Sequence, residues 1–502
     1  MENISEYRKI LALGGASLLL GVIFSYLFYE HEIGLNYSLF IFLILLCGIK
    51  LASLFARKID RTLYVLIGCA LFFAGMVFVR ESVLLSVFNV FGSVLLLLVV
   101  IGSLTGKHIK QFLSTDYLKV VFLPFRFILP FFTTLGDISS LRKVAGEKSS
   151  SKEVVRGSIM AAIAIVVFSA LFASADPVFD KILSNVFSVD IDEALLHRTI
   201  LTIIVTSFFI GAFGYVFRKV HVASGPTASP VRNLGPLETM ILFVAIDVLF
   251  LLFILLQLTH LFGGASHLID QGLTYAEYAR KGFFELVVVA VLSYIIVSIA
   301  EQQIVRKDEK HLHSFKLLSG VLVFEVVLIL VSAFMRLSLY EDAYGFTVIH
   351  LYSHALMIWI GFVLVLLSHH IWTNGKRELF SFRAFWSIVA LLLVMNVINP
   401  DAFIAKQNLE RYTETGKIDT EYLAELSSDA VPYTIRLLDD ANEETKSNFA
   451  QDLYWSRQHG VKRDNWRSMN LSFTNAEKLI APERDILEAY KGIPDSTSID
   501  SF

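Results

Sequence analysis

The sequence predicts an all-α protein, a polytopic helical membrane bundle followed by a C-terminal extracytoplasmic helical domain. Three observations predict it. Eleven apolar stretches lie between Ile10 and Ile398, each about long enough to cross a hydrocarbon core of roughly 30 Å at 1.5 Å per helical residue. The composition is 55% hydrophobic and only 18% charged, with a mean hydropathy of +0.62, more apolar than soluble domains, where charged residues make up about a quarter. Lysine and arginine, finally, gather in alternate connections, as they do when those connections stay in the cytoplasm.

The first span, 10–28, follows Arg8 and Lys9; Tyr29, Glu30 and His31 stand where a cleaved signal would need small residues, so it reads as a retained helix. Spans 36–56, 62–79 and 83–103 follow with short connections. The segment 104–156 carries nine Lys and Arg and forms a long cytoplasmic loop. Within it 117–135 is apolar but contains Lys119, Pro124, Arg126 and Pro130, which points to an interfacial or re-entrant segment rather than a span. The remaining spans are 157–174, 199–217, 239–262, 282–300, 316–335, 347–368 and 384–398. About eleven spans with this charge pattern place the amino terminus in the cytoplasm and the carboxyl terminus outside the cytoplasmic (inner) membrane.

Residues 1–398 thus form the transmembrane domain, and from Asn399 the composition turns polar. Within 399–502, Asp419 and Thr420 suit a helix start, Pro432 a first turn, Asn442 an N-cap, Gly460 a helix end and Thr474 a further start. This segment reads as an all-helical domain close to the outer mouth of the bundle.

Function is less legible. A net charge of -3 gives no hint of a nucleic-acid partner, and none is expected; Cys47 and Cys69 both fall inside spans, away from disulfide or metal chemistry. Phosphate-cradling glycine loops, zinc-protease motifs and nucleophile elbows do not occur, and neither a cofactor nor a metal is expected. Ionisable residues inside spans carry the local signal, because each costs about 2.5–3.5 kcal/mol at a helix centre and turns toward partners or water. Asp247 and Glu325 lie mid-span; Glu285, Arg336, His350 and His354 lie nearer outer span ends. Together they form a candidate polar cluster, read either as a proton or substrate pathway or as a packing device. His350 and His354 are four apart on one helix face, a weak metal signal. His311 with His313 and His369 with His370 fit solvated cytoplasmic faces. In the external domain Trp466, Arg467 and Asn470 are candidates for recognition of an envelope protein or small molecule, against the favoured reading in which Trp466 simply anchors the core. The layout of an inside amino terminus, eleven spans and an outside C-terminal domain resembles lipid-linked glycosyltransferases in outline, a further enzyme reading. Those enzymes generally carry a catalytic acid in a long first external loop, whereas the first loop here is short and holds only Glu30 and Glu32 around His31.

Several stretches carry a family resemblance: LGDISSLRK at 135–143, SADPVF at 174–179, RLSLYEDAYGFTVIHLY at 336–352, NPDAFIAKQNLERY at 399–412, GKIDTEYLAELSSDAVP at 416–432 and NWRSMNLS at 465–472. Through them the chain resembles the bacterial polytopic membrane proteins grouped as domain of unknown function 4173, with its relative 4153. The resemblance implies a bacterial cytoplasmic-membrane protein and supplies no catalytic residue. Arg336, Leu339, Tyr340, Tyr344, Gly345 and Thr347 match its pattern, whereas His350 stands where members often carry Arg. The expectation is a non-enzymatic sensing or interaction protein, with a secondary transporter using Asp247 and Glu325 as the competing reading.

Overall fold

The computed structural model describes residues 2–140, 193–218, 235–262, 283–303 and 309–491, apart from 441, 462 and 464, together with a few positions between 165 and 179. Every regular element among them is helical. The amino-terminal half is built from α1 (Glu2–Phe28), α2 (Leu35–Leu54), α3 (Arg61–Val79), α4 (Val83–Thr105), α5 (Ser114–Val121), α6 (Ile128–Ser140) and α7 (Glu193–Phe217). The second half holds α8 (Pro236–Phe262), α9 (Phe283–Gln303), α10 (Glu309–Tyr344), α11 (Val348–Trp372) and α12 (Arg377–Ile398). Among the described residues ten helices are long and apolar enough to cross a membrane. The chain is a multi-pass helical membrane protein.

The apolar periodicity that makes these helices also decides which faces pack. Leu66, Phe73 and Leu96 of α3 and α4 form one core, joined by Phe385 and Val389 of α12. Phe243, Leu322, Val326 and Leu364 of α8, α10 and α11 form another, joined by Phe380. Helix α12 therefore sits between the two halves and belongs to both. Outward faces stay apolar: Ile241, Val248 and Leu249 on α8 are 61–69% exposed, as lipid-facing residues should be. Because lipid is as apolar as these cores, close packing and polar contacts between helices do the holding. One such contact is a reciprocal amide pair, in which Asn89 Nδ2 donates to Asn396 Oδ1 at 2.9 Å and Asn396 Nδ2 returns the bond at 2.7 Å, both residues fully buried.

Helix ends define two faces. Ser25 donates to the Arg198 carbonyl, which puts the start of α7 beside the end of α1. Arg57 donates to the Val216 carbonyl, which puts the end of α7 beside the end of α2, at the opposite face. The 157–174 span lies almost wholly outside the described residues.

The 117–135 stretch breaks at Phe122, where α5 and the following helical segment bend by 61° around Pro124. Val120 and Leu123 touch the position of Gly102, Phe127 that of Gly211, and Pro130 and Thr134 that of Gly214. All three glycines lie within about 9 Å, at 1.5 Å per residue, of the helix ends at one face. The segment therefore dips into the bundle and stays near the face it entered from. Helix α10 departs from the expected 316–335 span, since it runs through Tyr344 and carries Arg336 and Tyr340 within it.

A single left-handed residue, Asn399 (φ 56°), ends α12, and Pro400 opens α13 (Pro400–Thr415). α14 (Thr420–Glu425), α15 (Val431–Thr434), α16 (Glu443–His459), α17 (Leu471–Ile480) and α18 (Arg484–Tyr490) complete a domain with its own core around Ile404, Leu423, Leu438, Phe449 and Ile480. Asp419 caps α14 and Asn442 caps α16. The start expected at Thr474 lies one turn earlier: Asn470 caps α17, and the Thr474 hydroxyl bonds back to the Asn470 carbonyl.

Candidate functional site at the junction of bundle and C-terminal domain

The short connections at one face of the bundle become ligands for the C-terminal domain. The turn 80–82 has two free amides at the start of α4, where the helix dipole favours negative charge. Asp429, 3% exposed, supplies it from the domain: its carboxylate accepts from the Glu81 amide at 2.8 Å, the Ser82 amide at 3.3 Å, Arg80 Nη1 at 3.3 Å and Ser472 Oγ at 2.7 Å. Asp401, 4% exposed, accepts from Ser82 Oγ and from the Ser427 amide, both at 3.2 Å. Glu81 reaches back, accepting from the Ser428 amide at 3.0 Å and lying 3.4 Å from Arg463 Nε. Burial, reinforced by the nearby Asp429 charge, raises the Asp401 carboxyl against the lowering effect of its hydrogen bonds.

Two further connections are held the same way. Tyr422 accepts from the Val348 amide at 2.8 Å, and burial pushes its hydroxyl up to about 12. Asn408 pairs with both backbone groups of Phe346, each at 2.8 Å. At the α1–α2 connection Arg467 donates to His31 and lies 4.0 Å from the Tyr26 ring centroid. Burial and the neighbouring guanidinium hold His31 below its ordinary range, so the ring accepts as a neutral imidazole.

Below this clasp lies a cavity of about 780 Å³ between the two halves of the bundle. Leu337 and Tyr340 of α10, His350 of α11, Val83 and Val87 of α4, and Asp401 and Glu425 of the domain line it. Its size suits a small ligand, for which about 300–1,000 Å³ is usual.

The structure divides the residues singled out from sequence. His350 reaches the cavity, with its ring edge-on to Tyr340 at 5.0 Å. His354 is buried deeper, 3.1 Å from the Glu341 carboxylate. Arg336 is buried on α10 at 9% exposure. Asp247 and Glu325 are neighbours in the packed interface of α8 and α10, and Glu285 is exposed at the start of α9, so the six do not converge on one cavity. Asn470, 1% exposed, donates to the Val77 and Arg80 carbonyls, and Arg467 is engaged with α1, leaving Trp466, 50% exposed, as the open member of that trio. At the opposite face the buried Glu301 carboxylate lies 3.5 Å from the buried His370 ring and 3.0 Å from Nε of the part-exposed Arg377, where the sequence suggests a solvated His370. Among the described residues no three His, Cys, Asp or Glu side chains gather as a metal site.

Sequence reasoning missed Asp401, Asp429, Glu81 and Tyr422. A signal was present: the stretches 336–352, 399–412, 416–432 and 465–472 all meet at this junction. A family profile described as a domain of unknown function, DUF4153, matches residues 67–437. The chain belongs to the DUF4153 family. No curated protein and no solved structure matches it. The DUF4153 match takes in the 80–82 turn, α10, α11, Asp401 and Asp429, and ends before Asn470.

Proposed function

We propose that this DUF4153 protein is a non-enzymatic sensing or interaction protein of the bacterial cytoplasmic membrane, kin also to the 4173 group, whose extracytoplasmic domain reads a ligand or envelope partner and passes the state to the helices. The basic connections at the face opposite the domain support an inside amino terminus. One observation carries the relay: Asp429 fixes the start of α4, and Asp401 bridges Ser82 and Ser427, so displacement of the domain must release that helix end. A linker-tethered domain would have no such coupling. The test is complementation of a deletion strain by the full chain, by residues 1–400 and by Asp429→Ala, each checked for membrane insertion. Loss of function in both variants is expected; full complementation by residues 1–400 would reject the relay.

A second reading is a secondary transporter. Both carboxylate oxygens of Asp247 and Glu325 Oε2 are buried without a hydrogen-bond partner among the described residues, a costly arrangement that proton or cation exchange would justify. Ion-coupled flux in proteoliposomes that disappears in Asp247→Asn or Glu325→Gln supports it, and flux surviving in both removes it.

A further inference from the structure

The junction cavity has an axis of changing chemistry. Successive residues of a helix rise by about 1.5 Å, so position along α4, α10 and α11 reports distance from the domain. Leu337, Ser353 and Val87 lie deepest among the lining residues; His350 comes next on α11, then the hydroxyls of Thr347, Ser82 and Ser427. At the domain end stand Asp401 and Glu425, and no lysine or arginine is among the lining residues. The side walls open outward through apolar residues in the first turns of α4 and α11, Val83 at 78% and Ile349 at 63% exposure, at the domain end of the apolar helices. Glu425 also borders a hollow with Glu421, Asp452 and Trp455, which extends the acidic character beyond the cavity.

A soluble anion is excluded by the two acids, and a purely apolar molecule would leave Asp401, hydrogen-bonded by Ser82 and Ser427, and Glu425 without a counter-charge. The complementary occupant has an apolar body, a middle that accepts hydrogen bonds and a cationic end. We infer that the cavity takes the head of a phospholipid ending in a primary ammonium, drawn in sideways from the bilayer. Its acyl chains lie against Val83, Val87 and Ile349. Its phosphate meets the hydroxyls and His350, where a protonated imidazole or its N–H can donate. Its ammonium donates to Asp401 and Glu425, an ionised contact stronger than a neutral hydrogen bond. A bound cation also favours the charged form of Asp401, which burial alone opposes. Occupancy at this site requires no signalling by the domain, so it stands or falls separately from the relay.

The test uses the full chain purified in detergent and native mass spectrometry against lipids of matched acyl chains with phosphoethanolamine, phosphocholine or phosphoglycerol heads. Retention is expected to favour the phosphoethanolamine head. Because the Glu425 side chain is exposed, Glu425→Gln leaves the fold intact and should reduce that retention by about tenfold, the scale of one charged hydrogen bond. Ile349→Trp, which narrows the mouth, should reduce binding of the same lipid. The proposal is overturned if either other head is retained equally well, or if both variants keep the wild-type preference.

Discussion

Two pairs of buried acids in this protein meet opposite fates. At the domain junction Asp401 and Asp429 are 4% and 3% exposed, and between them they accept from three backbone amides, three serine hydroxyls and a guanidinium. Inside the second half of the bundle Asp247 and Glu325 are 7% and 5% exposed, with three carboxylate oxygens unpartnered among the described residues. Burial is the same and the surroundings differ. An acid whose lone pairs are met holds architecture together, whereas one whose lone pairs are unmet costs stability and is retained for something else.

The largest effect should come from breaking the satisfied pair. Asp429→Ala leaves the Glu81 and Ser82 amides without their acceptor and Arg80 with only the Asn396 carbonyl, and removal of one partner from a buried charged network costs about 3–5 kcal/mol. Limited proteolysis should then cut the C-terminal domain readily while the transmembrane helices stay protected. A variant as resistant as wild type would show that apolar contacts, such as Phe346 and Leu351 against the domain core, suffice for docking.

The unsatisfied pair should respond in the opposite direction. Asp247→Asn with Glu325→Gln removes two desolvated acids without changing shape, and thermal unfolding should show a chain as stable as wild type or more so by about 1–2 kcal/mol. A marked loss of stability would mean that the carboxylates have partners in the folded protein, and the contrast with the junction would collapse.

A smaller effect concerns pH. The folded-state carboxyl of Asp401 is raised by burial and by Asp429, so the docked chain keeps its proton where the undocked chain has lost it. The stability this contributes is complete below the ordinary Asp value of about 3.9 and is lost as pH rises through the raised folded value. Asp401→Asn removes that loss. The domain's protection from proteolysis should therefore decline less with rising pH in the variant than in wild type, and parallel profiles would show that Asp401 does not set the pH response.

The contrast also explains what was legible in the sequence. Spans are long, apolar and periodic, so α1 to α4 and α7 to α12 follow from local pattern, and so do the caps Asp419 and Asn442. Asp247 and Glu325 stand out because acids are rare within such runs. Asp401 and Asp429 sit among polar residues where an acid carries no surprise, and their partners at 80–82 are more than 300 positions away. Only folding makes them neighbours. Asn470 looks like a recognition residue in sequence for the same reason: its role as cap of α17 is local, while its bonds to Val77 and Arg80 are not.

The smallest effect should fall on Trp466. Its neighbours Arg467 and Asn470 are committed to the bundle, but its own ring is half exposed and lies 5.9 Å from the Arg467 guanidinium, a contact worth about 0.5–1 kcal/mol at an exposed site. Trp466→Ala should shift thermal unfolding by no more than that, whereas Arg467→Ala strips the His31 and Tyr26 contacts and should cost more. If Trp466→Ala nevertheless abolishes complementation while the domain stays docked, the ring acts on a partner rather than on the fold. If it changes neither stability nor complementation, recognition lies elsewhere on the domain surface, and the clasp is the whole meaning of this trio.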